Sequence, residues 1–214
     1  MKIKQVLKTV TVLLLWLIAP SVSAQYQKSA LEIQIEQLVA DLRRQRIDTV
    51  CTYQEYCVGC RGSRVADDSP CTTKGILIPT YLFWQKAGRT YRQYLDNCET
   101  RVPEEIAAEF WAYTSRFKHQ LQVEEIKDFH IMDNGKPEQV SRNHGGSFSF
   151  DIILGQDTIK QYFDDFALTK FTRFARKKSF NIYYRSNHRT HTYKLQRMLS
   201  HAAAQKPVAV PPKG

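Results

Sequence analysis

The chain has 214 residues, with 31 Lys and Arg against 21 Asp and Glu, for a formal net charge of +10 at pH 7. Apolar residues make up 43 %, aromatics 12 % and charged residues 24 %, which excludes a disordered or collagen-like chain. With nine Gly and eight Pro it is not low-complexity, and five Cys are too few for a disulfide-dense miniprotein; the length suits one domain with room for a core.

Residues 1–24 have the layout of a secretory signal peptide. Lys2, Lys4 and Lys8 precede an apolar run from Val10 to Ala19, Pro20 breaks it, and Val22-Ser23-Ala24 supplies the small residues of a cleavage site. The run is half of the roughly 20 residues a bilayer crossing needs. The expectation is an exported, soluble protein, secreted or periplasmic, with no transmembrane segment once the signal is removed. From Gln25 onward 28 basic and 21 acidic residues remain, or +7. All five cysteines follow the cut, so they mature where disulfides persist. No asparagine opens an N-x-Ser/Thr sequon, so no N-glycan is expected.

Residues 25–206 read as a single α+β domain, with amphipathic helices packed on a small, mainly antiparallel sheet. Ser29-Ala30-Leu31-Glu32 is a capping-box pattern. Leu31, Ile35, Leu38, Val39 and Leu42 then repeat at helical spacing as far as Ile47. A Cys-rich loop at 51–71 follows. Ile76 to Lys86 and Arg89 to Asp96 read as strands joined by a Gly-containing turn, the first starting after Pro79 or lying at an edge. Pro103 fits a first helical position, and Ile106, Phe110, Tyr113, Phe117 and Leu121 extend an apolar stripe to about Glu125. That stripe is read as core. Short strands are expected around Phe129 to Met132 and over Phe148 to Leu154. Asp157 to Leu168 is read as helix on Ile159, Tyr162, Phe163 and Phe166, and a last helix runs from Thr192 to Gln205. Residues 207–214 form a flexible Pro-rich tail.

Cys51, Cys57, Cys60, Cys71 and Cys98 are the disulfide candidates. Cys57-Val58-Gly59-Cys60 is a C-x-x-C, giving an alternative redox pair of Cys57 and Cys60, for which Arg61 and Arg64 could supply charge. A covalent haem would want His directly after the second Cys, where Arg61 stands. A four-thiolate zinc site from Cys51, Cys57, Cys60 and Cys71 lacks a second C-x-x-C. An odd fifth thiol leaves intermolecular pairing open. No G-x-S-x-G, H-E-x-x-H or Walker-type loop occurs, and His144-Gly145-Gly146-Ser147 is a turn before a strand. His188, His191 and His201 are read as solvated, and Asp164-Asp165 as a solvated surface pair. No catalytic residue, cofactor or metal is assigned, and the chain is read as more plausibly a non-enzyme.

Charge is the informative feature. From Phe166 to Gly214 there are eleven Lys and Arg and no acid, whereas residues 25–165 sum to −4. The candidate anion-binding residues are Lys170, Arg173, Arg176, Lys177, Lys178, Arg185 and Arg189. Phe171, Phe174, Phe180, Tyr183, Tyr184 and Tyr193 interleave with them. Such a mixture suits an anionic polysaccharide, a lipid headgroup or an acidic protein. Sequence-specific nucleic-acid binding is not expected, since no helix-turn-helix, zinc-finger or RNP pattern appears. The competing reading is that the acidic body neutralises the basic end within one fold.

Overall fold

A computed structural model describes residues 28–58, 78–142, 145–174 and 176–206. The predicted signal peptide, most of the Cys-rich loop with Cys60 and Cys71, His144 and the Pro-rich tail lie outside the described residues.

Helix α1 (Ala30–Arg44) begins at the predicted capping box: the Ser29 hydroxyl accepts from Glu32 N at 3.2 Å, and the Glu32 carboxylate accepts from Ser29 N at 2.6 Å. Four strands follow: β1 (Thr49–Val58), β2 (Thr80–Lys86), β3 (Arg89–Leu95) and β4 (Glu104–Ile106). Two short helices, α2 (Phe110–Arg116) and α3 (Lys118–Val123), lead to the hairpin of β5 (His130–Asp133) and β6 (Lys136–Gln139). Strands β7 (Gly145–Leu154) and β8 (Asp157–Asp164) precede a 3-10 turn at Asp165–Leu168. A second hairpin pairs β9 (Phe171–Phe174) with β10 (Lys177–Phe180), and helices α4 (Tyr184–Asn187) and α5 (His191–Ala204) follow.

Six strands form one antiparallel sheet in the order β4-β3-β2-β1-β7-β8, so β1 is central and joins a meander to the β7–β8 hairpin. Because side chains alternate across a strand, its two faces bury different sets. Cys51, Tyr53, Phe83, Phe150, Ile152, Ile159 and Phe163 face the main core, which Phe110, Trp111, Leu121, Leu195, Leu199 and Ala202 complete from the helices. Val50, Leu82, Trp84 and Leu95 face the other way, under Leu31 and Leu42 of α1. A third, smaller cluster of Phe129, Ile131 and Phe166 sits beneath the small hairpins, with Phe174 packed against it. The α+β class and the antiparallel sheet are therefore as expected.

Three segments differ from the sequence reading. Residues 51–58 of the predicted loop are the central strand; Thr, Val, Tyr and Cys alternate there with one face buried. Pro103 does not open a helix. Glu104 and Glu105 lie on edge strand β4, held by Arg92 at 2.6 Å and Arg89 at 3.4 Å, an edge position where a preceding proline costs no ladder bond. The helical stripe begins only at Phe110 and is broken at Phe117 (φ −111°). Residues 157–164 are strand β8, not helix: Ile159 and Phe163 are buried while Thr158, Lys160, Tyr162 and Asp164 are exposed, a period of two. The β6 strand and the β9–β10 hairpin were not anticipated.

Candidate functional site

The basic residues are carried by the segment that follows β8, and two buried asparagines fasten it. Asn181 donates from Nδ2 to Ala167 O at 2.9 Å, and its Oδ1 accepts from Tyr183 N at 3.0 Å and His130 N at 3.4 Å. Asn187 donates from Nδ2 to Lys127 O at 2.8 Å and Ala167 O at 2.9 Å, and accepts from Lys127 N at 3.1 Å. Buried amides with their bonds made resist displacement. They lock the 3-10 turn, the start of β5 and helix α4 into one support for the hairpin.

On that support β9 and β10 pair with Phe171 opposite Phe180 and Arg173 opposite Lys178. Alternation therefore puts Phe171, Arg173, Lys178 and Phe180 on one face, all four exposed. Phe174, on the other face, packs inward against the third cluster. The Phe171 and Phe180 centroids lie 6.2 Å apart, and Lys178 Nζ sits 4.0 Å from the first ring and 5.4 Å from the second. Arg176 occupies the turn at φ 65° with Lys177 exposed beside it, and Lys170 is exposed at the open end of the hairpin, its carbonyl bonded to Asn181 N. The hairpin thus brings together five of the seven candidate cations. Arg185 and Arg189 are exposed on and just after α4.

Among the described residues, the acids of the body make no ion pair with these groups. Of the nine ion pairs among the described residues, none takes its cation from residues 166–206. Arg173 and Lys178 directly face each other, and like charges so placed across a ladder are destabilising.

The interleaved aromatics divide. Tyr183 meets His130 edge-on, and Tyr184 and Tyr193 pack on His188 at 4.2 and 4.5 Å between centroids. His188 donates from Nδ1 to Tyr184 O at 2.8 Å, and His191 stacks on Phe117 at 4.0 Å with Nδ1 2.7 Å from the Tyr113 hydroxyl. Neither histidine is the solvated group that was expected: both are packed against aromatic rings. Asp164 accepts from Ser147 at 2.7 Å and Asp165 pairs with Arg142. With Asp128 they line a concavity near the third cluster, so that hollow is acidic and the outward face of β9–β10 is the cationic surface.

No two described cysteines are bonded to each other. Cys51 is a free thiol at zero exposure. Burial, reinforced by the charge of Asp151, pushes the Cys51 thiol well up, so it is shielded from intermolecular pairing. Cys57 lies within the central strand rather than at a helix N-terminus, where reactive C-x-x-C thiols gain their low pKa. The odd thiol was countable from sequence, but its burial follows from β1 being central. No helix among the described residues is long and apolar enough to cross a membrane. Comparison with family models, curated proteins and solved structures finds no match.

Proposed function

We propose that this is an exported, non-enzymatic binding protein that holds an anionic partner through its basic–aromatic C-terminal part, centred on the β9–β10 hairpin. The observation that carries the reading is the absence, among the described residues, of any ion pair made by the cations of residues 166–206. Cations left unmatched on one surface attract anions and raise their local concentration. Export, to the periplasm or outside the cell, is supported by the signal-peptide layout of residues 1–24.

Retention on an anionic resin tests the reading. Changing Arg176, Lys177 and Lys178 together to Ser should lower the eluting salt concentration well beyond what the same number of substitutions on the exposed Arg43, Arg44 and Arg46 achieves. Equal effects from the two sets would mean that retention follows total charge alone, and the proposal would fail. Elution should also be steeply salt-dependent, because exposed charges are screened over about 8 Å at physiological ionic strength.

A further inference from the structure

We propose that the partner is the surface of an anionic phospholipid bilayer, on which the outward face of the β9–β10 hairpin lies with Phe171 and Phe180 lodged at the boundary between headgroups and acyl chains. The inference rests on the reading above and specifies its ligand. Exposed phenylalanine is the key observation: Phe171 is 47 % and Phe180 54 % exposed, directly opposite each other on a strand pair that needs neither ring for its own core. Phe carries no hydrogen-bonding group, so these rings offer little to a sugar hydroxyl or a sulfate and much to hydrocarbon. Ile182, two residues beyond, is also exposed, as is Met132 on β5, the strand beside β10.

The cations are placed to match. Arg173 and Lys178 form the second cross-strand pair toward the turn, past Thr172 and Ser179, and so lie on the same face as the two rings. Arg176 carries the charge to the turn, and Lys177, opposite Phe174 on the other face, is exposed at its edge. Apolar side chains flanked by Lys and Arg are the composition that binds at the headgroup boundary, where hydrocarbon burial and attraction to anionic lipid act together. An anionic phosphate between Arg173 and Lys178 also relieves the like-charge opposition that the fold leaves in place. Lys178 Nζ, 4.0 Å from the Phe171 ring, can keep its head at the phosphate level while its stem follows the ring inward.

Co-sedimentation of the chain from Gln25 onward with vesicles decides the matter. Vesicles of phosphatidylcholine mixed with phosphatidylglycerol should bind it, and vesicles of phosphatidylcholine alone should bind far less. Each Lys or Arg removed from the hairpin should weaken vesicle binding by about fivefold. The double variant Phe171→Ser and Phe180→Ser should weaken it by about tenfold. A Phe180→Trp variant supplies a readout independent of folding margin: its emission should shift to the blue when the mixed vesicles are added. Resin retention that depends on the hairpin cations, with vesicle binding indifferent to both Phe changes or with no blue shift, overturns the lipid assignment and leaves a polyanion or acidic protein as partner. Resin retention indifferent to the hairpin cations overturns the broader reading instead.

Discussion

Arg92 joins the two ends of the fold through a single side chain. Its Nη1 donates to Ala202 O, Ala203 O and Gln205 O at 2.8–3.0 Å, and its Nη2 to Glu104 at 2.6 Å, with the residue almost fully buried. The last carbonyls of a helix have no partner within it, and a cation there also complements the helix dipole. Arg92→Met should therefore lower stability by about 3 kcal/mol in chemical denaturation, because it strips three carbonyls and a carboxylate at once. Arg92→Lys should recover only part, since one ammonium cannot reproduce the guanidinium fork. Burial also sets an alkaline limit. It pushes the Cys51 thiol and the Tyr53 phenol well up, with Glu55 adding to the latter, and together with Tyr162 it raises Tyr56 to about 12. In the unfolded chain these groups lose protons from about pH 8.5 for thiol and about pH 10 for phenol. The folded state holds more protons above those values, so stability is complete below them and falls as pH rises. Thermal melts should show that decline, and the Cys51→Ala, Tyr53→Phe variant should flatten it; an equally steep decline in the variant would refute the assignment.

At the scale of elements, α1 and α5 were legible because each advertises itself locally. A capping box opens α1, and Leu195, Met198, Leu199 and Ala202 repeat at helical spacing in α5. Strand β1 was not, because Cys57 and Cys60 drew the reading toward loop chemistry while its residues alternate in a strand pattern. In β8, Tyr162 and Phe163 blurred the period, and only the burial of Ile159 and Phe163 separates strand from helix. The hairpin was hidden for another reason: its strands are four residues each, and its turn carries Arg176 at positive φ in place of the usual Gly or Asn. That substitution predicts its own test. Arg176→Gly should raise local stability by about 1 kcal/mol, visible as slower amide exchange in β9 and β10, because a side chain at positive φ is strained. Arg176→Val should accelerate the same amides.

For the molecule as a whole, the charge asymmetry was countable from sequence, but whether acids and bases cancel depends on which face each occupies. Arg89, Arg92, Lys118 and Lys160 take up Glu105, Glu104, Asp157 and Asp151 within or beside the main sheet. The nine ion pairs among the described residues are all made by cations that precede residue 166, and the C-terminal cations make none.

The placement of α5 has a temporal consequence. Leu195, Leu199 and Ala202 complete the main core, Gln196 reaches the Tyr53 hydroxyl at 3.3 Å, Ser200 reaches Glu55 at 3.3 Å, and the end of the helix receives Arg92. A polypeptide emerging amino end first from a ribosome therefore has every strand of the main sheet outside before the helix that covers their core is made.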